Sequence, residues 1–310
     1  MIMIRSPFFW SNVAAACASV FFGVSVVATR FVIVQTNPFT LAFLRYFLAT
    51  SFIFPILVLT RHHRINRSDL LPVAVLGIIF FGIFPFTFNT GLKHTLASRG
   101  ALILATIPLL TLLLSTVFRF ETITWLKTIG VFLTLIGVAT VIGEKMLGQT
   151  ISNQIWFGDL FILITSLCGA VYNTFSRPYF RKYSALTLTG YSMLFGTIFL
   201  LPFAATEGLF QQLPTFNFSG WLAVLYLGLL GGVLGFYLWA YALERSTPTR
   251  VAVFVNLNPL TATILAVLLL GETVTVRFVL GFALVLGGIG LTNWRKRQST
   301  PSPPIVPHHR

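Results

Sequence analysis

Six stretches of this chain run for about the length of a membrane span without a single Asp, Glu, Lys or Arg: Ser6–Thr29, Leu70–Leu92, Gly100–Phe118, Tyr183–Thr206, Gly208–Leu243 and Val251–Gly271. A helix needs about 20 apolar residues to cross a bilayer, and inside lipid every backbone N–H and C=O must be satisfied within the protein. Only 9% of the 310 residues are charged, with a mean hydropathy of +0.87. A soluble domain uses about 25% charged residues to cover its surface. The fold class is therefore an all-α membrane protein. Ten spans are expected, at about 8–29, 38–60, 70–91, 97–118, 124–143, 157–177, 184–206, 219–243, 249–270 and 276–294. The apolar run at the N-terminus continues past its small residues to Ala28, so it reads as a first span rather than a cleaved signal.

The chain also repeats itself. Arg99–Thr124 and Arg250–Thr275 align without a gap at an offset of 151 residues and share Arg, Ala, Pro, Leu, Leu, Glu, Thr and Thr. Gly130 then falls on Gly281, Leu133 on Leu284 and Gly137 on Gly288, while Ser19 and Arg30 match Ser166 and Arg177 at an offset of 147. The expected units are a five-helix repeat over 1–147, a second over 148–297, and a proline-rich, solvated tail over 298–310. Five is odd, so the second copy enters the membrane upside down. Inverted repeats of this kind are typical of secondary transporters, with the substrate held near the midplane between the halves.

The net charge of +14 does not gather into one basic face, as a nucleic-acid binder would require. With the N-terminus inside, the inner segments carry fifteen Lys and Arg residues and the outer ones five. The positive-inside rule then places both termini in the cytoplasm. Cys17 and Cys168 lie within apolar runs and are expected to be buried packing thiols.

Within this frame the sequence resembles the EamA-type drug/metabolite transporters. The resemblance rests on Leu44-Arg45-Tyr46-Phe47-Leu48-Ala49, on the paired Ala-x6-Pro…Glu-Thr-x-Thr segments and on the glycines that follow them, with Ala252…Asn258-Pro259…Leu270-Gly271-Glu272 the closer copy. It covers about residues 8–294. It implies ten helices about a pseudo-twofold axis in the membrane plane, and a central cavity lined mainly by helices 1, 3, 4, 6, 8 and 9.

Candidate residues follow from burial cost. Arg45 is the only charge well inside a span, and an intramembrane ionisable group points to function or to an architectural partner. Buried amides need hydrogen-bond partners that a wet cavity supplies, so Asn89, Tyr172, Asn173, Tyr237, Trp239, Tyr241, Asn256 and Asn258 are expected to join Arg45 in holding substrate. The alternative is helix–helix hydrogen bonding for the amides and interfacial belting for the aromatics. Pro108 and Pro259 should free the carbonyls of Leu104 and Val255 and act as hinges or gates. Glu121 and Glu272 suit helix N-termini better than proton coupling. No Gly-x4-Gly-Lys-[Ser/Thr] or His-Glu-x-x-His segment occurs. No catalytic set, metal site or cofactor is expected. The partners expected are a small-molecule substrate and the lipid bilayer; the sequence leaves the oligomeric state open and is compatible with a monomer. The leading reading is an exporter of small amphipathic metabolites such as amino acids, working by alternating access in the cytoplasmic membrane. Its rival is a non-transporting structural or lipid-interacting membrane protein.

Overall fold

The computed structural model describes residues 7–59, 65–95, 100, 103–146, 153–212, 216–270 and 276–294. Arg99, Glu272, His62, His63, His308, His309 and the segment 298–310 lie outside the described residues. Among the described residues ten main helices make the fold, six of them long and apolar enough to cross a membrane: α1 Pro7–Val32, α2 Pro38–Leu59, α3 Arg67–His94, α4 Ile107–Val117, α5 Trp125–Met146, α6 Asn153–Phe175, α7 Ala185–Thr206, α8 Phe218–Arg245, α9 Leu257–Leu270 and α10 Val276–Asn293. Among the described residues there is no strand. The start of α1 and the end of α10 share one end of the bundle, because Arg250 lies 5.4 Å from the Phe8 ring and donates to Trp294 O at 3.5 Å.

Each helix of the first half has a counterpart in the second. α2 and α7 each span 22 residues with an internal proline, Pro55 and Pro202, and they touch through Thr50 Oγ1 and Thr197 Oγ1 at 3.1 Å. Those two threonines are 147 residues apart, the offset at which Ser19 matches Ser166. A residue bonded to its own counterpart marks the pseudo-twofold axis. The α5–α10 seam carries the same signature. A Cβ on Gly130 would stand 2.7 Å from Gly288 O, and one on Gly137 would stand 2.8 Å from Gly281 O. Gly130 and Gly281 are counterparts, as are Gly137 and Gly288, so each contact is the mirror of the other in an isologous pairing. The pairs run in opposite chain directions, so the counterpart helices are antiparallel and the repeat is inverted.

α3 and α8 extend the match further than the sequence showed. Both are 28 residues long, and both widen into a π-helical turn at the same place, Ile78–Ile83 and Leu229–Leu234. In α3, Pro85 follows the turn and lacks the N–H that would bond Phe81 O. In α8, glycines at 231, 232 and 235 stand in or beside it. The same shape is thus reached by different local chemistry.

The spans expected at 97–118 and 249–270 are not single kinked helices. α4 begins at Ile107 after a turn at Ala105–Thr106, and α9 follows a short helix, Pro248–Ala252, and a 3-10 turn, Val253–Asn256. Pro108 and Pro259 therefore sit in the first turn of α4 and α9, where no backbone donor is needed, rather than mid-helix. The thiols also divide: Cys168 is buried, but Cys17 lies on the exposed face of α1.

The seam makes a stability prediction. Gly130→Ala should push α5 from α10 and cost about 1–3 kcal/mol. Gly290→Ala, with nothing within 4 Å of its Cβ, should be neutral or slightly stabilising. Thermal unfolding of the purified protein in detergent reads both, and equal effects would contradict the seam.

Candidate functional site

A cavity of about 70 Å³ lies in the centre of the bundle, lined by Phe22, Ser25 and Val26 of α1, Arg45 of α2, Phe80, Phe84, Pro85 and Phe88 of α3, Leu104 and Ile107, Gly169 and Asn173 of α6, Phe236 and Trp239 of α8, and Val255 and Asn258. Twelve of the sixteen fall into counterpart pairs: Phe22 with Gly169, Val26 with Asn173, Pro85 with Phe236, Phe88 with Trp239, Leu104 with Val255, and Ile107 with Asn258. The cavity is therefore built across the pseudo-twofold axis by equivalent positions of the two halves.

The side chains at those positions are not symmetric. Where the first half places Val26, Phe88 and Ile107, the second places Asn173, Trp239 and Asn258. Trp239 Nε1 donates to Asn173 Oδ1 at 3.0 Å, joining two of the three. The Asn258 amide faces two acceptors, Ser19 O at 2.8 Å and Val255 O at 3.2 Å, which assigns its nitrogen to that side as the donor to both. Val255 O also accepts from Leu257 N in the 3-10 turn, and the Asn258 amide ties the start of α9 to α1.

Arg45 supplies the charge. It is 8% exposed, its guanidinium carbon lies 5.3 Å from the Tyr46 ring and 5.6 Å from that of Phe236, and its buried Nε has no hydrogen-bond partner. Among the described residues no carboxylate pairs with it. Symmetry shows how room is made for it. On one side of the axis Phe80 of α3 stacks on Tyr172 of α6, with centroids 4.1 Å apart and planes within 8°. The counterparts of Phe80 and Tyr172 are Gly231 and Ser25. A Cβ on Gly231 would collide with Ser25 Oγ and stand 3.6 Å from Arg45 Nη2. Two small residues thus clear the volume that an aromatic pair fills on the opposite side, and the guanidinium occupies it. Ser192 is the counterpart of Arg45.

Four of the nine expected side chains, Arg45, Asn173, Trp239 and Asn258, come together here. The other five do not line the cavity. Asn89 donates to Pro38 O at 2.9 Å and ties α3 to the start of α2. Tyr172 is held in the stack with Phe80. Tyr237 is 36% exposed on the outer surface, and Tyr241 lies under the Arg245 guanidinium at 3.8 Å near the end of α8. Asn256 is fully buried in the 3-10 turn before α9, with neither amide atom paired. Phe22, Phe80, Phe84 and Phe236, which carry no polar group to mark them in the sequence, complete the aromatic wall with Phe88; aligning the two repeats across α1/α6 and α3/α8 locates them.

Carboxylates close the ends of the bundle instead of lining its centre. Glu121 accepts Thr249 N at 3.0 Å and Lys127 Nζ at 2.6 Å. Glu207 accepts Thr40 N at 2.9 Å in the first turn of α2, and Glu244 accepts Ala185 N at 3.1 Å at the start of α7. Each places negative charge on the N-terminus of a helix contributed by another part of the chain. Burial raises the pKa of Glu207, against the donors of Thr40.

Inverted helical repeats enclosing a central cavity with paired helix interruptions define a multi-pass membrane transporter. The comparisons with known proteins agree: the EamA-like transporter family matches residues 9–143 and again 156–294, and the chain belongs to that family. Among its relatives, an uncharacterized transporter of Archaeoglobus fulgidus is 28% identical over 277 residues, covering 89% of this chain and 96% of that protein. A second from the same organism is 31% identical over 268 residues, covering 85% and 90%. A Streptantibioticus cattleyicolor protein named "Probable terminal-alkyne amino-acid exporter" is 28% identical over 243 residues, covering 77% and 80%. A solved crystal structure superposes with a TM-score of 0.75 at 20% identity, covering 91% of this chain and 94% of the other, which is agreement in fold.

Trp239→Phe keeps an aromatic ring, though a smaller one, and removes the donor to Asn173 Oδ1. It should cost about 1–3 kcal/mol by stranding a buried acceptor. Combining it with Asn173→Leu should recover part of that loss in a double-mutant cycle of thermal unfolding; strict additivity of the two changes would contradict the pairing.

Proposed function

We propose that this protein is a secondary transporter that exports a small amphipathic metabolite with a carboxylate, such as an amino acid, by alternating access. One observation carries the reading: a buried guanidinium borders the central cavity, and among the described residues no carboxylate balances it. A charge in a spanning helix costs about 2.5–3.5 kcal/mol on insertion scales and is retained where something pairs with it. A substrate carboxylate is a fitting partner, since Arg presents a fork of donors matched to two oxygens. Asn173, Trp239 and Asn258 would receive the polar part of the substrate from the opposite half, and the phenylalanine wall its apolar body. The name of the Streptantibioticus relative supports an amino acid as cargo.

At about 70 Å³ the cavity is well short of the roughly 300 Å³ at which metabolite pockets begin. Loading therefore needs the halves to separate, first toward one side and then the other. The helix breaks before Pro108 and Pro259 occupy counterpart positions beside Leu104 and Val255 of the cavity wall and would serve as the gates. The fifteen-to-five distribution of Lys and Arg supports insertion in the cytoplasmic membrane with both termini inside.

Purified protein in liposomes, loaded with a panel of aliphatic and aromatic amino acids and their decarboxylated amines, tests the reading. Flux is expected for carboxylate-bearing members and not for the amines. Arg45→Gln should abolish that flux while the protein still purifies as a folded species, and Arg45→Lys should retain part of it. Absence of flux across the panel, with and without an imposed proton or Na⁺ gradient, would sink the transport reading; undiminished flux in Arg45→Gln would remove Arg45 from it.

A further inference from the structure

A second pocket, of about 260 Å³, lies at the end of the bundle where α6 and α8 finish. We propose that it binds a phosphate-class oxyanion. The inference is independent of what the central cavity carries.

Its walls carry Arg177, Arg181, Arg245 and Arg250, together with Ser246 and Thr247. Against four guanidiniums the lining offers one carboxylate, Glu244. That carboxylate is already committed: Oε2 accepts Ala185 N at 3.1 Å and Arg245 Nη1 at 2.9 Å. Arg245 is paired with Glu244, and the other guanidiniums are held in place by contacts from several elements. Arg177 donates to Phe120 O, Arg245 lies 3.8 Å over the Tyr241 ring, and Arg250 stands over Phe8 while donating to Trp294 O. Arg181 is exposed at the rim. The hydroxyls of Ser246 and Thr247 have no hydrogen-bond partner.

Like charges held around one pocket repel each other unless an anion enters. The planar donor fork of Arg fits phosphate oxygens two at a time, and hydroxyls complete such a cradle. The counterpart pocket at the opposite end emphasises the difference. Among the described residues it holds Arg30 and Lys93 with Gln35, Thr36 and Asn37. The shared chemistry of the ligand is a phosphate oxyanion, either on an acidic lipid headgroup at the membrane surface or on a soluble phosphate.

Full-length protein in a neutral detergent tests this through its thermal unfolding midpoint. It is titrated at constant ionic strength with inorganic phosphate and, separately, with short-chain phosphatidylglycerol against the uncharged diacylglycerol of the same chains. A saturable rise is expected with at least one phosphate probe. Saturation by inorganic phosphate assigns a soluble anion; a response to phosphatidylglycerol alone assigns a headgroup. Arg181→Gln, at the exposed rim, should leave the ligand-free midpoint unchanged and weaken the apparent affinity by about tenfold. Ser246→Ala should leave the ligand-free midpoint unchanged or raised, since it deletes an unpaired hydroxyl, yet also weaken binding. Absence of a saturable rise with both probes, or wild-type affinity in Arg181→Gln and Ser246→Ala, overturns the proposal.

Discussion

At the centre of the molecule, Thr50 and Thr197 meet across the axis that exchanges the two halves, and at its side α5 and α10 touch backbone to backbone at paired glycines. In lipid there is little hydrophobic drive to bring helices together, so close van der Waals packing and interhelical hydrogen bonds must hold them. A threonine pair is worth only about 0.6 kcal/mol in such settings, so the glycine seam carries more of the burden. Because each repeat has five spans, the counterpart helices can meet only antiparallel. The odd count, the seam and the axis are one constraint. A cavity built on that axis is walled by equivalent residues of both halves.

Symmetry of the frame makes the asymmetry of its chemistry informative. The second half supplies Asn173, Trp239 and Asn258 where the first has Val26, Phe88 and Ile107. The first half supplies Arg45 where the second has Ser192. Gly231 and Ser25 yield the space that Phe80 and Tyr172 fill on the other side. The backbone keeps the two halves alike, and the side chains distinguish them. A substrate with one anionic end and one apolar body matches that division better than a symmetric ligand would.

Much of this was legible in the sequence because two of its causes are linear. Charge-free length marks a span, and a repeat survives as spaced Arg, Pro and Gly residues. Arg45, Asn173, Trp239 and Asn258 could be singled out because a polar group within a span needs a partner. Which face each would show was harder to read. The π turns at Ile78–Ile83 and Leu229–Leu234 rotate everything downstream relative to an ideal 3.6-residue helix. Tyr237 accordingly faces outward, three residues past the turn. Asn89 and Tyr172 found protein partners, a carbonyl and a ring, that lie far away in sequence. The two prolines were correctly paired, but a single apolar run does not disclose that its helix restarts just before them.

The central claim is that one cavity on the axis is reached from both sides in turn. Val26, a lining residue of α1, can be replaced by cysteine in a background where Cys17 and Cys168 are serine. Membrane-impermeant thiol reagents are then applied to right-side-out and inside-out vesicles. The account predicts labelling from both sides, with cargo protecting against each. Labelling from one side alone, or from neither, would contradict it.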